Sequence, residues 1–432
     1  MSRIMTDSGV AWIGDMPQCW ELNRFKDHYF NIKELAGASA DEYERLALTL
    51  NGVIKRDKDD SEGLQPKEFN GYQILRKNDF VFKMIDLQNI STSRVGLSPY
   101  EGLVSPAYIR FAPKKDGQNN KFMYYYLMSL YYNCVYNNMA GDGVRSALNA
   151  KDLGQILCPI PSENEAEHIV NVIEKKVEEI NLLLTNQQKQ IERLKQYKQS
   201  LITEITTKGL NADAEMINSD IDWIGIIPAH WKIARVRNFG IPQNGISKGG
   251  EAFGSGFPFV SYADVHRNLE LPKKVEGLIE STENEQQIYS VEKGDIFFTR
   301  TSETIEEIGF SCVCNKTIEK AVFAGFLIRL RPFNDMLETE YAKYYFRGTH
   351  IRKYMVKEMN LVTRASLGQN LLKSMSVLVP PQKEQIEIAE YLNKKCEKID
   401  SLIAIKQKKI EKLQQYKKSI IYEYVTGKKE AL

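Results

Sequence analysis

The sequence contains no run of about 18 apolar residues, the length a membrane-spanning helix requires. Its opening stretch, MSRIMTDSGVAWIGD, has no apolar core of the signal-peptide type. We therefore expect a cytoplasmic protein with no membrane attachment. Cysteine is scarce and scattered, at Cys19, Cys134, Cys158, Cys312, Cys314 and Cys396. Only Cys312 and Cys314 are close, and C-x-C along a strand would point both thiols to one face. With no second Cys or His pair beside them, reduced structural cysteines are expected rather than a zinc site. The histidines (His28, His168, His230, His266, His350) are dispersed and show no H-E-x-x-H or metal-ligand spacing. A G-x-x-x-x-G-K-S/T phosphate loop is missing, as is the N/D-P-P-Y/F segment that grips a target adenine in amino-methyltransferases. The stretch Gly249-Gly250-Glu251-Ala252-Phe253-Gly254-Ser255-Gly256 lacks the strand-to-helix setting of a cofactor loop. Glu174-x-Lys176 alone does not make a nuclease. These absences predict a chain with no catalytic residue, metal or cofactor of its own.

A large excess of charge of one sign is also lacking. The net charge is +2, and the 43% hydrophobic and 26% charged fractions are those of a soluble globular protein. The distribution is less even, since residues 393 to 429 hold eleven lysines against four acids. A basic helix can follow phosphates, and a solvated coiled-coil flank has the same composition.

What the sequence does have is an internal repeat. All four tryptophans fall in two copies of W-I-G-x-x-P-x-x-W, Trp12 to Trp20 and Trp223 to Trp231, 211 residues apart. Lys77 to Phe82 (KNDFVF) parallels Lys293 to Phe298 (KGDIFF) at an offset of 216. Ile109-Arg110 parallels Ile328-Arg329, and Arg145-x-x-Leu148 parallels Arg364-x-x-Leu367, both at 219. An offset that drifts and then holds fits a tandem duplication with insertions in surface loops. The 219-residue offset continues through two long helical stretches, IERLKQYKQSLITEITTKG against IEKLQQYKKSIIYEYVTGK.

Each stretch carries a heptad. The apolar seam sites of the first are Val170, Ile173, Val177, Ile180, Leu184, Ile191, Leu194, Leu201 and Ile205. Those of the second are Ala389, Leu392, Cys396, Ile399, Ile403, Ile410, Leu413, Ile420 and Tyr424. Polar breaks fall at matched places, Gln187 and Lys198, then Lys406 and Lys417. An apolar repeat of about 3.5 residues kept for about 36 residues marks a coiled-coil seam, and each helix has the other copy as its natural partner. The polar breaks are expected where partner subunits or a fixed register require polarity.

The chain thus divides into a first domain (1–160), a first spacer helix (161–207), a polar linker (208–222), a second domain (223–379) and a second spacer helix (380–427). Pro161 and Pro381 suit the first helical turn, and Glu163, Glu165 and Glu384 complement the helix dipole. Within the domains, Tyr72 to Met84 and Val291 to Thr299 read as strands with tight turns at Asn78-Asp79 and Gly294-Asp295. Leu103 to Phe111 and Ala321 to Arg331 read as buried strands, and Phe122 to Tyr136 and Tyr341 to Met355 as helices. The tyrosines of Phe122 to Tyr136 could stack bases, but an aromatic helix packed on a sheet accounts for them. The fold class is α+β: two mixed α/β domains in tandem, each followed by a long helix. A helix of about 45 residues spans roughly 65 Å, enough to place two readers on DNA half-sites roughly 34 to 36 Å apart.

Two diverged domains, each followed by a similar helix with L-x-x-Y-K-x-S-I/L-I near its end, resemble the specificity subunit of a type I restriction–modification system. The W-I-G-x-x-P-x-x-W segments, Gly102 to Tyr108 (GLVSPAY) and the P-P-x-x-E-Q segment Pro380 to Gln385 are also family-like. Pro161 to Ala166 and Ala324 to Leu327 depart from the pattern. The resemblance implies two target-recognition domains reading a bipartite double-stranded DNA target, with the helices packed as an antiparallel coiled-coil spacer. It also implies two docked modification (methyltransferase) subunits carrying S-adenosylmethionine, and restriction subunits using ATP with Mg. Two rival readings are the recognition subunit of a two-subunit restriction-and-modification enzyme and a protein-only coiled-coil scaffold.

Base and phosphate contacts call for polar and basic side chains in variable loops. In the first domain the candidates are Lys55, Arg56, Lys58, Lys83, Gln88, Asn89, Arg94 and Arg145. In the second they are Asn244, Ser247, Lys248, His266, Arg267, Asn268, Thr299, Arg300, Thr301, Ser302 and Arg364. Arg145 and Arg364 occupy equivalent places and suit backbone contact or support.

Overall fold

The structure, a computed structural model, describes residues 3–49, 52–59, 68–85, 87, 94–115, 119–139, 147–302, 308–358 and 365–431. It divides into two compact units, one of residues 1–187 with 408–432 and one of residues 188–407. Each unit is therefore one domain plus half of each long helix. No helix among the described residues is long and apolar enough to cross a membrane.

The first unit is built on a four-stranded antiparallel sheet in the order Tyr29–Asn31, Ile109–Pro113, Phe80–Phe82, Val95–Leu97. In the second unit the sheet Gly240–Asn244, Leu327–Pro332, Ile296–Thr299, Ser311–Val313 has the same order. The duplication read from K-N/G-D is thus a duplicated sheet, with the K-N/G-D strand interior in each copy. A second sheet in each unit contains a parallel pair. It joins Arg45–Thr49 to Gly102–Val104 in one unit and Phe253–Val260 to Val322–Phe323 in the other.

The stretches Leu103 to Phe111 and Ala321 to Arg331 each prove to be two strands broken by a turn, at 105–108 and 324–326. The helical stretches also break. The first becomes Asn120–Tyr132 and Val135–Met139, with Cys134 at φ 55° between them. The second becomes Thr339–Tyr345 and Thr349–Glu358. Within the stretch read as a linker, Met216–Asn218 is a strand paired with Ile226–Pro228, just as Met5–Asp7 pairs with Asp15–Pro17. That short strand, Met-Ile-Asn, is exposed throughout, so no alternation of burial marks it in the sequence.

Each domain closes by pairing its last strand with the strand that follows the second tryptophan. Leu157–Ile160 pairs with Glu21–Arg24, and Ser376–Val379 with Lys232–Arg235. The long helices start directly beyond, as Glu163–Lys208 and Gln382–Val425. The tryptophans fix those starts. Trp20 Nε1 donates to Glu165 Oε2 at 2.9 Å, and Trp231 Nε1 to Glu384 Oε2 at 3.1 Å. The carboxylates placed by sequence at the helix dipole therefore also satisfy an indole N–H.

The two long helices pack against each other within each unit. In the first unit Val170, Ile173, Val177, Ile180 and Leu184 share one apolar cluster with Leu413 and Ile420. In the second, Leu194 and Leu201 share one with Leu392, Ile399 and Ile403. Ile191 and Ile410 are buried as well. Burial of each such side chain contributes about 1.5–3 kcal/mol. The pairing is antiparallel: Lys198 Nζ meets Asp400 at 2.6 and 2.8 Å and Lys406 Nζ meets Gln190 at 2.5 Å, so numbers rise on one helix as they fall on the other. Lys417 Nζ donates to Asn181 Oδ1 at 2.9 Å in the first unit. Asn181 and Asp400 lie 219 residues apart, as do Lys198 and Lys417, so one cross-helix bond is made twice.

The tyrosines of Asn120–Tyr132 and Val135–Met139 belong to or pack against the first unit's core. Tyr126 OH accepts from Trp12 Nε1 and donates to the Leu157 carbonyl. Cys312 and Cys314 enter one apolar cluster of the second unit while Val313 enters the other, the one-face placement expected of C-x-C on a strand.

Candidate nucleic-acid interface

The K-N/G-D strand organises both ends of each sheet. Before it, the chain turns with φ 70° at Asn78 and φ 95° at Gly294, backbone that Asn and Gly tolerate best. The aspartates of these turns are buried and meet arginines. Arg110 Nε donates to Asp79 at 2.6 Å, and Arg331 Nη2 and Nε donate to Asp295, each at 2.7 Å. Burial pushes both carboxyls up while the arginines pull them down. The repeat aligns Arg110 with Arg329, yet the partner of Asp295 is Arg331, two residues along the same strand face. Arg329 instead donates to the Ser290 carbonyl and to Gln243.

At the other strand end, Leu148 N donates to the Met84 carbonyl (3.2 Å) and Leu367 N to the Arg300 carbonyl (2.7 Å). The R-x-x-L repeat is thus the anchor of a segment that returns to the strand end. Its arginines, Arg145 and Arg364, lie outside the described residues, as do Gln88 and Asn89.

In the second unit this end gathers several candidates. Asn244 sits opposite Ile328, and Gly245 N donates to the Leu327 carbonyl. Arg300 N donates to the Phe326 carbonyl at 2.8 Å, and its guanidinium reaches the Gly325 carbonyl at 3.4 Å. Ser247 lies against Gly325. Thr301 and Ser302 pair with Ala365–Ser366. Ser247 and Arg300 therefore lie against the turn 324–326, with Asn244 one residue before Gly245 and Thr301 following Arg300 in the chain. Lys248 is committed locally, its Nζ donating to Glu285 and to the Glu280 carbonyl, each at 2.8 Å. The ammonium in turn holds the Glu285 carboxyl below the usual range.

Other candidates are structural. Thr299 is 0% exposed and its hydroxyl accepts from Phe310 N, so it presents no surface to a duplex. His266 stacks on Tyr262 and meets Phe310 edge-on. The carbonyls of His266 and Asn268 accept from Arg347, and Asn268 Nδ2 donates to the Asp264 carbonyl, closing its short helix. Arg267 between them is exposed.

In the first unit, Lys83 N donates to the Arg94 carbonyl, but Arg94 is 2% exposed and is likewise enclosed. Lys55 and Arg56 lie on the other sheet, in the strand Gly52–Arg56, and Lys58 follows it. Lys55 pairs with Glu44 at 2.5 Å over the Tyr100 ring, and Lys58 Nζ donates to the Ala40 carbonyl. Sequence reasoning overlooked Phe326, which is 62% exposed within a stretch expected to be a buried strand. The Gly325 beside it was the available signal, since glycine breaks a strand.

The fold is that of two similar mixed α/β units, each a domain with part of each of two paired long helices. A family model described as "Type I restriction modification DNA specificity domain" matches residues 43–208 and 242–415. Among known proteins, the chain is 23% identical over 419 residues to the type I restriction enzyme MjaVIII specificity subunit of Methanocaldococcus jannaschii, covering 96% of this chain and 93% of that one. It is 24% identical over 268 residues to the type I restriction enzyme EcoKI specificity subunit of Escherichia coli K12, covering 60% and 54%. A solved chain from work on complex assembly and conformational transition of the type I R-M system superposes with a TM-score of 0.68 at 15% identity, over 95% of this chain and 98% of that one. The chain belongs to the type I restriction–modification DNA specificity family. It is a specificity subunit with two tandem recognition domains, and not itself an enzyme.

Proposed function

We propose that this subunit reads an asymmetric, bipartite double-stranded DNA target in the cytoplasm, one half-site per domain, and that two modification subunits dock on its paired helices. The observation that carries this reading is the duplicated sheet with diverged strand-end residues: Arg300, Thr301, Ser247 and Asn244 in one domain, Lys83 and its neighbours in the other. One scaffold with different polar side chains supports two different half-site sequences. Arg145 and Arg364, at equivalent places in the repeat, suit backbone contact or support common to both halves.

Docking of two copies of one partner is supported by repeated apolar exposure on the helices. Leu183 and Tyr416 are 43% and 52% exposed in the first unit, and Leu402 and Tyr197 are 47% and 56% exposed in the second. The two leucines are 219 residues apart, as are the two tyrosines, so each unit presents the same pair beside its cross-helix lysine bond. In this reading S-adenosylmethionine belongs to the modification subunits, and ATP with Mg to restriction subunits that join them. Methylome sequencing of a host carrying the system tests it. One split motif with methylated adenines, lost when this chain is deleted, is the expected result. Unsplit methylation, or none that depends on the chain, would refute the reading.

A further inference from the structure

The turn 324–326 holds one large apolar side chain in the open, and its backbone is pinned on several sides. Ala324 N donates to the Val260 carbonyl at 3.0 Å, Gly325 N to Ile246 at 2.7 Å and Leu327 N to Ala324 at 2.9 Å. The Phe326 carbonyl accepts from Arg300 N at 2.8 Å. Neighbouring glycines make the close packing possible. A Cβ on Gly325 would lie 2.3 Å from Ser247 Oγ, and one on Gly245 would lie 2.2 Å from the Ala324 carbonyl. The ring is thus presented by a backbone with little freedom to retract, yet it is 62% exposed. Covering it would remove apolar surface from water at about 25 cal/mol per Å². The polar side chains against the turn, Ser247 and Arg300, are of the kinds that bond base edges and phosphates. The matching residue of the first domain is Ala107, so the feature belongs to one domain only.

We propose that Phe326 is an apolar base-contact residue of the second domain, pressed against the base pairs of the half-site that domain reads. This rests on the reading of the domains as half-site readers. The ring can act in two ways that share this chemistry: packing on a thymine C5-methyl in the major groove, or wedging at a base-pair step.

The test uses the full chain assembled with its modification subunits and duplexes carrying the methylome-defined target. Phe326→Ala is expected to weaken binding about tenfold on the intact target and to match the unsubstituted protein once the second domain's half-site is scrambled. Phe326→Leu, still apolar, is expected to keep most of the affinity. A thymine-to-uracil change at one position that weakens the unsubstituted protein but not Phe326→Ala would identify a methyl contact. A 2-aminopurine fluorescence rise at one step that disappears in Phe326→Ala would identify a wedge. Binding of Phe326→Ala equal to that of the unsubstituted protein on the intact target overturns the proposal and leaves the half-site reading standing, as does a loss independent of the second half-site's sequence. If the unsubstituted complex does not distinguish split targets at all, the half-site reading itself fails.

Discussion

His350 stacks parallel to Trp223 and meets Tyr345 edge-on, and neither ring nitrogen has a hydrogen-bond partner among the described residues. Burial holds its imidazole down from the ordinary 6.5 to about 3, with Lys353 adding a smaller push the same way. The unfolded chain takes up this proton at a higher pH than the folded one does. The stability contributed by neutral His350 is therefore complete above pH 6.5 and is lost as pH falls towards 3. The slope is about 1.4 kcal/mol per pH unit, so roughly 2–3 kcal/mol goes between pH 6.5 and 4.5. Urea unfolding at these two pH values should show a smaller acid loss for His350→Leu than for the unsubstituted protein, and equal losses would contradict the assignment. The sequence showed His350 only as a dispersed histidine. Its enclosure depends on Trp223 arriving from a distant part of the chain to lie against the ring, opposite the nearby Tyr345.

Among the elements, the long helices were the most legible in the sequence, because a heptad is a local pattern and a repeated one is confirmed by its copy. Their polar breaks were legible only as breaks. The structure makes Lys198 and Lys417 the donors of one repeated cross-helix bond, to Asp400 and Asn181. Burial pushes the Lys417 ammonium down, as expected for a charge in a seam with a neutral partner. A polar seam residue fixes register at a cost in stability. Replacing Lys198 and Lys417 together with Leu is therefore expected to raise the unfolding temperature of the chain by about one or two degrees, for about 1–2 kcal/mol gained. It should also let the methylated motif occur with more than one gap between its halves. A single unchanged gap would show that these lysines do not set the register. The short elements were less legible. Both domain helices break at a turn, and the strand Met216–Asn218 hides in a polar stretch, because each is fixed by pairing with residues elsewhere.

For the whole molecule, the second unit is one continuous piece of sequence while the first is assembled from both ends of the chain, and each takes one domain and part of each long helix. The last turn of the second long helix belongs to the first unit, where Tyr422 OH donates to the Ile13 carbonyl and Gly427 lies against Pro17 and Trp20. In the second unit Gly209, beyond the end of the first helix, lies against Trp231. Two similar but diverged units should make separable contributions to recognition. Arg300→Ala is expected to relax the second domain's half-site by about 1–3 kcal/mol per affected base pair. The first half-site should stay as selective as before, a difference that competition binding against targets altered in one half at a time would resolve. Loss of selectivity in both halves would count against separate readers.

The sequence by itself determined the duplication, the helix limits to within a residue or two and the seam, since these follow from spacing along the chain. Tertiary structure alone decided which groups meet. It paired Asp295 with Arg331 rather than Arg329, enclosed Arg94 and Thr299, and left Phe326 in the open on a pinned turn. Burial and hydrogen bonding depend on what the rest of the chain brings alongside, and no spacing between neighbours in sequence carries that information.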